Sequence, residues 1–300
     1  MNLPFEYERV TLGEYGGTTP TTTDFDHARV VILPIPLDRT TSYVPGTRNG
    51  PHEILVASSH MELWDEETQT DVHRIGIFTL PEMEFPFGTM ELVVKEIRRV
   101  ASELVSRDKF IVALGGEHSI TPPLVAAVAA KHPDLSVLQL DAHADLRESF
   151  MGTPHNHACA MRRALEYARA TQVGIRSLSP DEACAISSLP TQVFYDFNMR
   201  QDADWMDRVV DTLTENVYIT IDVDGFDPAI MPATGTPEPG GLAWYEALGL
   251  LRRVVERRTV VGCDVVELSP MAGNVAPNFL CAKLVYKILS YRFGSEVSRP

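Results

Sequence analysis

The chain is short of positive charge. Lys and Arg number 26 against 41 Asp and Glu, a net charge of −15 at neutral pH, so its field repels phosphate backbones and anionic lipid and attracts cations. No nucleic-acid partner is expected. Cysteine is scarce too: Cys159, Cys184, Cys263 and Cys281 form no CxxC pair and stand in apolar surroundings, which excludes a zinc knuckle and a disulfide framework and leaves small buried thiols. Long hydrophobic runs are missing. The stretch 124–130 is far too short to span a bilayer, and the opening MNLPFEYERVTLGEY carries no basic stretch followed by an apolar one. No membrane partner and a cytoplasmic location are the expectation. Neither a GxGxxG fingerprint nor a P-loop occurs.

What the chain does have is alternation. Short apolar, β-branched runs at 29–33, 110–114, 136–140, 171–175, 192–195, 217–223 and 260–268 predict buried strands. Between them, apolar residues at three- and four-residue spacing predict helices over 91–106, 123–131, 158–169, 204–215, 243–257 and 276–291. Alternating strands and helices imply parallel βαβ units. No linker, repeat or shift in composition divides the chain, so a single α/β domain over residues 1–300 is expected. Ligands of open α/β sheets bind beyond the carboxyl ends of the strands, so polar residues just after apolar runs are where chemistry belongs.

Three such places stand out. After 110–114 comes GGEHS, where a glycine pair permits close backbone approach and His118 precedes a helix. By itself this histidine reads as a capping or packing residue. After SVLQL comes DAHAD, and an extended chain would turn Asp141, His143 and Asp145 to one side. A solvated turn is the bland alternative, but carboxylates held against an apolar strand cost several kcal/mol unless a cation compensates. After VYITI comes DVDGFDP, with Asp222 and Asp224 again at alternate positions; Asp227, before Pro228, is expected to set the turn. Two imidazoles and four carboxylates, formally −4, balance two divalent ions. Asp141 and Asp222, heading their pairs, are expected to bridge them. An oxygen-rich set without thiolate suits Mn²⁺, with Ni²⁺, Co²⁺ or Fe²⁺ able to take its place. Ions about 3.5 to 4 Å apart would activate a water for hydrolysis.

GGEHS, DAHAD and DVDGFDP, in that order, resemble the three metal-binding motifs of the ureohydrolase family of arginases and agmatinases, and most resemble those of agmatinases. TTSYVPGTRNGPHEIL (40–55) resembles the family's substrate-side loop and following helix. The resemblance implies a three-layer αβα sandwich on a mostly parallel sheet and a homo-oligomer, trimer or hexamer. It also implies two site roles: His157 as the histidine near the departing amine, with His155 its competitor, and Glu267 as the carboxylate that grips the guanidinium. Either could otherwise be a helix-end residue or a cap.

The implied reaction cleaves a small cationic guanidino compound to urea and an amine. Agmatine, giving putrescine, is the expected substrate, because 146–156 lacks the serine-, glycine- and asparagine-containing loop with which arginases hold an α-amino acid. Guanidinobutyrate, arginine, guanidine and formiminoglutamate stay open, and Arg48, Arg147 or Arg176 would favour an anionic tail. From other classes, a noncatalytic metal-stabilised binding protein and a zinc deacetylase-type amidohydrolase are weighed against it. The complete set of six ligand types and the two dense acid pairs argue against both.

Overall fold

The computed structural model describes residues 9–10, 13–17, 24–85 and 87–297. Eight strands build the sheet: β1 Val30–Ile35, β2 Ile77–Thr79, β3 Phe110–Gly115, β4 Ser136–Leu140, β5 Arg169–Ile175, β6 Thr191–Tyr195, β7 Asn216–Asp222 and β8 Thr259–Val266. Their spatial order is β2-β1-β3-β8-β7-β4-β5-β6, and every pairing is parallel. A parallel sheet is stable only when both faces are covered, which is why these strands read as unbroken apolar runs.

Successive residues of β1 enter opposite cores. Val30 and Ile32 belong to the same core as Ile54, Val209, Leu248 and Leu284, from helices Gly50–Ser58, Trp205–Thr212, Trp244–Arg257 and Ala276–Phe293. Val31 and Leu33 belong to the other core, with Val93, Leu124 and Met161 from helices Met90–Ser106, Thr121–Ala129 and Ala160–Ala164. The result is the three-layer αβα sandwich expected of the chain.

The departures have local causes. The helix expected over 158–169 is a 3₁₀ turn at His157–Cys159 and five α-helical residues, Ala160–Ala164. Pairing of Arg169 with Ser136 makes β5 begin earlier than its apolar run, so the helix must end sooner. The helix expected from 123 starts at Thr121, because Pro122 and Pro123 fall in its first turn, where the missing N–H groups would have had no partner. Strand Ile77–Thr79 is too short to show a period in sequence. Cys159, Cys263 and Cys281 are buried as expected, whereas Cys184 is exposed on helix Pro180–Ala185. Among the described residues, no helix is long and apolar enough to cross a membrane.

Candidate metal centre and active site

The sheet gathers the candidate residues at one place. β3, β8, β7 and β4 are neighbours at its middle, and their carboxyl ends lead into His118, Glu267, Asp222 and Asp141 respectively. The backbones crowd there. A Cβ on Gly116 would lie 1.8 Å from the Leu37 carbonyl oxygen, and one on Gly225 would lie 2.8 Å from the Asp141 nitrogen, so both motifs need glycine to bring their loops together.

The six expected ligands converge, though not by the route expected for Asp141, His143 and Asp145. β4 ends at Leu140, so these three do not alternate along a strand; the loop turns, with Asp145 at a φ of 53°. His118, Asp141 and Asp145 form one potential metal cluster, and Asp141, His143 and Asp224 a second. Asp141 belongs to both, with Oδ2 3.2 Å from His118 Nδ1 and Oδ1 3.7 Å from His143 Nδ1. Asp145 Oδ2 and Asp222 Oδ2 stand 3.0 and 3.5 Å from His118 Nδ1, and Asp224 Oδ2 stands 2.9 Å from His143 Nδ1. Asp227 stays outside this set: its carboxylate accepts the Ala229 amide and sets the turn, as its place before Pro228 suggests.

The donor set fits divalent cations. His118 Nδ1 is fully buried and has no well-aligned hydrogen bond, although three carboxylates surround it, which is the surrounding of a nitrogen aimed at an ion. Without a cation the charges must be held by protons. Burial and the neighbouring Asp141 push Asp145 up to about 6. Burial, then Asp224 and Asp141, drives Asp222 well above the carboxylate range. Burial works against protonation of His143, yet Asp224 and Asp141 outweigh it and push the imidazole up to about 12. A pair of divalent ions would replace those protons.

A cavity of about 300 Å³ opens beside the cluster, lined by His143, Asp145, Asp222, His157 and Glu267, with Ser42, Arg147, Phe150, Ser177, Glu182 and Thr236 among the other lining residues. Glu267 accepts the His118 amide through Oε1 at 2.7 Å and is held at a φ of 66°, a left-handed conformation that ends β8 and costs about 1–3 kcal/mol. Burial, then the Glu117 charge, raises its pKa well above the usual range, opposed by the His118 amide, so without a cation beside it the group tends to hold a proton. His157 Nδ1 lies 3.7 Å from Glu267 Oε1, and His157 Nε2 lies 3.2 Å from Ser42 Oγ. Burial lowers the His157 pKa and favours a neutral ring. His155 does not line the cavity.

Of the three arginines weighed for an anionic tail, only Arg147 lines the cavity, stacked over Phe150 with Nε 3.8 Å from Glu182. Arg176 donates to the Asp224 and Glu238 carbonyls, and Arg48 to the Asp38 carbonyl. Thr236 and Glu182 carry no signal in sequence, since only the fold brings them to the cavity. Glu117 had one: it sits inside GGEHS, and its burial beside His118 makes an acid there conspicuous.

Residues 28–290 match the arginase family profile. The chain belongs to the arginase family. It is 41% identical over 277 residues to the N(1)-aminopropylagmatine ureohydrolase of Synechocystis sp., covering 90% of each chain. It is 34% identical over 252 residues to the agmatinase of Bacillus cereus, covering 82% of this chain and 86% of that one. Among solved structures it resembles the agmatine ureohydrolase of Thermoplasma volcanium, with a TM-score of 0.84, 33% identity, and coverage of 96% and 97%. This arginase-family chain is thus an agmatinase-like hydrolase of guanidino compounds.

Proposed function

We propose that this chain, with two divalent ions held by His118, Asp141, His143, Asp145, Asp222 and Asp224, hydrolyses a guanidinobutyl amine to urea and the free amine. The observation that carries the reading is the meeting of the two ligand clusters at Asp141 beside a cavity that also holds Glu267 and His157. N1-Aminopropylagmatine is the first substrate, on the 41% identity to a hydrolase named for it; agmatine, the sequence-based expectation, is the second, on the relatives named agmatinases at 34%. The ions, with Mn²⁺ the preferred pair, would polarise the guanidinium and activate a water.

The chain's own residues do the rest. Glu267 is fixed by the His118 amide and offers a planar carboxylate to a planar cation, the match that orients a guanidinium. His157, neutral and set against Ser42, would take a proton released by the attacking water and pass it to the departing nitrogen. Beyond the ligand set, the pairing of Arg147 with Glu182 leaves little free positive charge on the cavity wall for a substrate carboxylate, which favours the amines over the acids.

The test is kcat/KM for urea release from N1-aminopropylagmatine, agmatine, arginine and guanidinobutyrate on Mn²⁺-loaded protein at one pH. Preference for either amine over both acids supports the reading. Equal or better hydrolysis of arginine or guanidinobutyrate overturns the substrate class, and no urea from any of them overturns the reaction.

A further inference from the structure

The two ring nitrogens of His118 have different surroundings. Nδ1 faces Asp141, Asp145 and Asp222, whereas Nε2 lies 2.9 Å from the Thr220 hydroxyl. Thr220 donates in turn to Asp264 Oδ1 at 2.6 Å. Asp264 Oδ2 accepts from Tyr218 at 2.9 Å and from Thr121 at 3.0 Å. All of these residues are buried, and Asp264 and Thr220 are direct partners in the pairing of β8 with β7.

The direction of this chain of hydrogen bonds is forced. A carboxylate accepts only, and a threonine hydroxyl has one proton. Thr220 therefore spends its proton on Asp264 and can only accept from His118, so Nε2 carries a hydrogen and Nδ1 is the nitrogen whose lone pair serves an ion once the ion displaces any proton held there.

We propose that Asp264 and Thr220 are positioning residues that fix His118 in the tautomer whose Nδ1 can ligate a metal ion. This rests on the metal reading above. A metal-ligating imidazole commonly has its second nitrogen fixed in this manner, and loss of the partner weakens metal binding about 10- to 100-fold.

Asp264→Asn has an expected sign. Its amide oxygen must take the place facing two hydroxyl donors, so its NH₂ faces Thr220. Thr220 then loses Asp264 as its acceptor, and of the two acceptors left, His118 Nε2 at 2.9 Å is nearer than the Thr121 hydroxyl at 3.3 Å, so the proton turns to Nε2 and the imidazole hydrogen moves to Nδ1, where it blocks the lone pair. Thr220→Val removes the acceptor at nearly constant volume, and Thr220→Ser restores it.

The experiment is titration of the metal-free full-length chain with Mn²⁺, reading stoichiometry and affinity, with metal-free Tm measured alongside. Two ions are expected for the unaltered protein and for Thr220→Ser, with one of the two weakened about 10- to 100-fold in Asp264→Asn and Thr220→Val. Unaltered affinity in both variants overturns the proposal. So does a Thr220→Ser variant no better than Thr220→Val, or an unaltered chain that binds no Mn²⁺. If Asp264→Asn does not fold, the Thr220 pair decides. Two bound ions without urea release would sink the proposed function and leave this inference standing.

Discussion

Glu117 and Thr40, 77 residues apart, are joined by two hydrogen bonds. The Glu117 carboxylate accepts from the Thr40 amide at 2.5 Å, from the Thr40 hydroxyl at 2.7 Å and from the neighbouring Arg39 amide at 2.7 Å. The Thr40 hydroxyl also accepts the His157 amide at 2.9 Å. The acid beside a metal-ligand candidate thus fixes the loop opposite it and, through that loop, the backbone of the histidine expected to move the proton.

Glu117→Gln replaces an acceptor surrounded by donors, Ser119 Oγ included, with a group that must turn an NH₂ toward some of them. A buried group left with a mismatched partner costs about 1–3 kcal/mol. Because Glu117 is not among the proposed ligands, Mn²⁺ stoichiometry should stay at that of the unaltered protein while Tm falls by several degrees and kcat/KM drops. Metal titration, thermal unfolding and kinetics check it. Loss of metal in step with activity would place Glu117 in the metal site instead.

Glu267 and His157 face each other across 3.7 Å, yet their losses should be distinguishable. Glu267→Gln removes a charge-assisted pair to the guanidinium, worth about 1.5–3 kcal/mol, and should weaken substrate binding with both ions retained. His157→Ala should leave metals and most substrate affinity and lower kcat by about 100-fold or more. His155→Ala should do less, since His155 is outside the cavity lining. Steady-state kinetics with elemental analysis of each variant decides. Equal damage from the two histidine variants would remove His157 from its special place.

The strands of the sheet and the ends at which chemistry gathers were legible because parallel strands buried on both faces write themselves as apolar runs, and an acid at the end of such a run is conspicuous. The geometry bringing Asp141, His143 and Asp145 together was not, since it depends on a left-handed turn at Asp145 rather than on strand alternation. Nor was the early end of the helix at Ala160–Ala164, which the pairing of β5 with β4 dictates. Thr220 and Asp264 are 44 residues apart, and only the register of two parallel strands sets one against the other. Contacts of that kind have no local signature.

Proton competition should give the metal-free and metal-loaded proteins opposite pH trends. His143, pushed up to about 12, holds a proton at neutral pH that an ion must displace. Asp145, pushed up to about 6, adds a second proton in mildly acidic solution. Apparent Mn²⁺ affinity should therefore rise at least about tenfold per pH unit near neutrality and more steeply below about pH 6, with protons released on binding. In the metal-free chain the signs reverse. The raised His143 pKa contributes stability fully present below its unfolded value of about 6.5 and lost as pH rises toward 12. Asp145 is more easily ionised in the unfolded chain, so its contribution also falls as pH rises, from about 3.8 through 6. Hence the site groups should pull the metal-free Tm down between about pH 5 and 8, while the Tm gained on adding a fixed Mn²⁺ concentration should grow over the same range. Thermal unfolding with and without Mn²⁺ at several pH values reads both trends. A Mn²⁺-induced gain in Tm that is flat or shrinks as pH rises would mean that these histidine and aspartate groups are not where the ions bind.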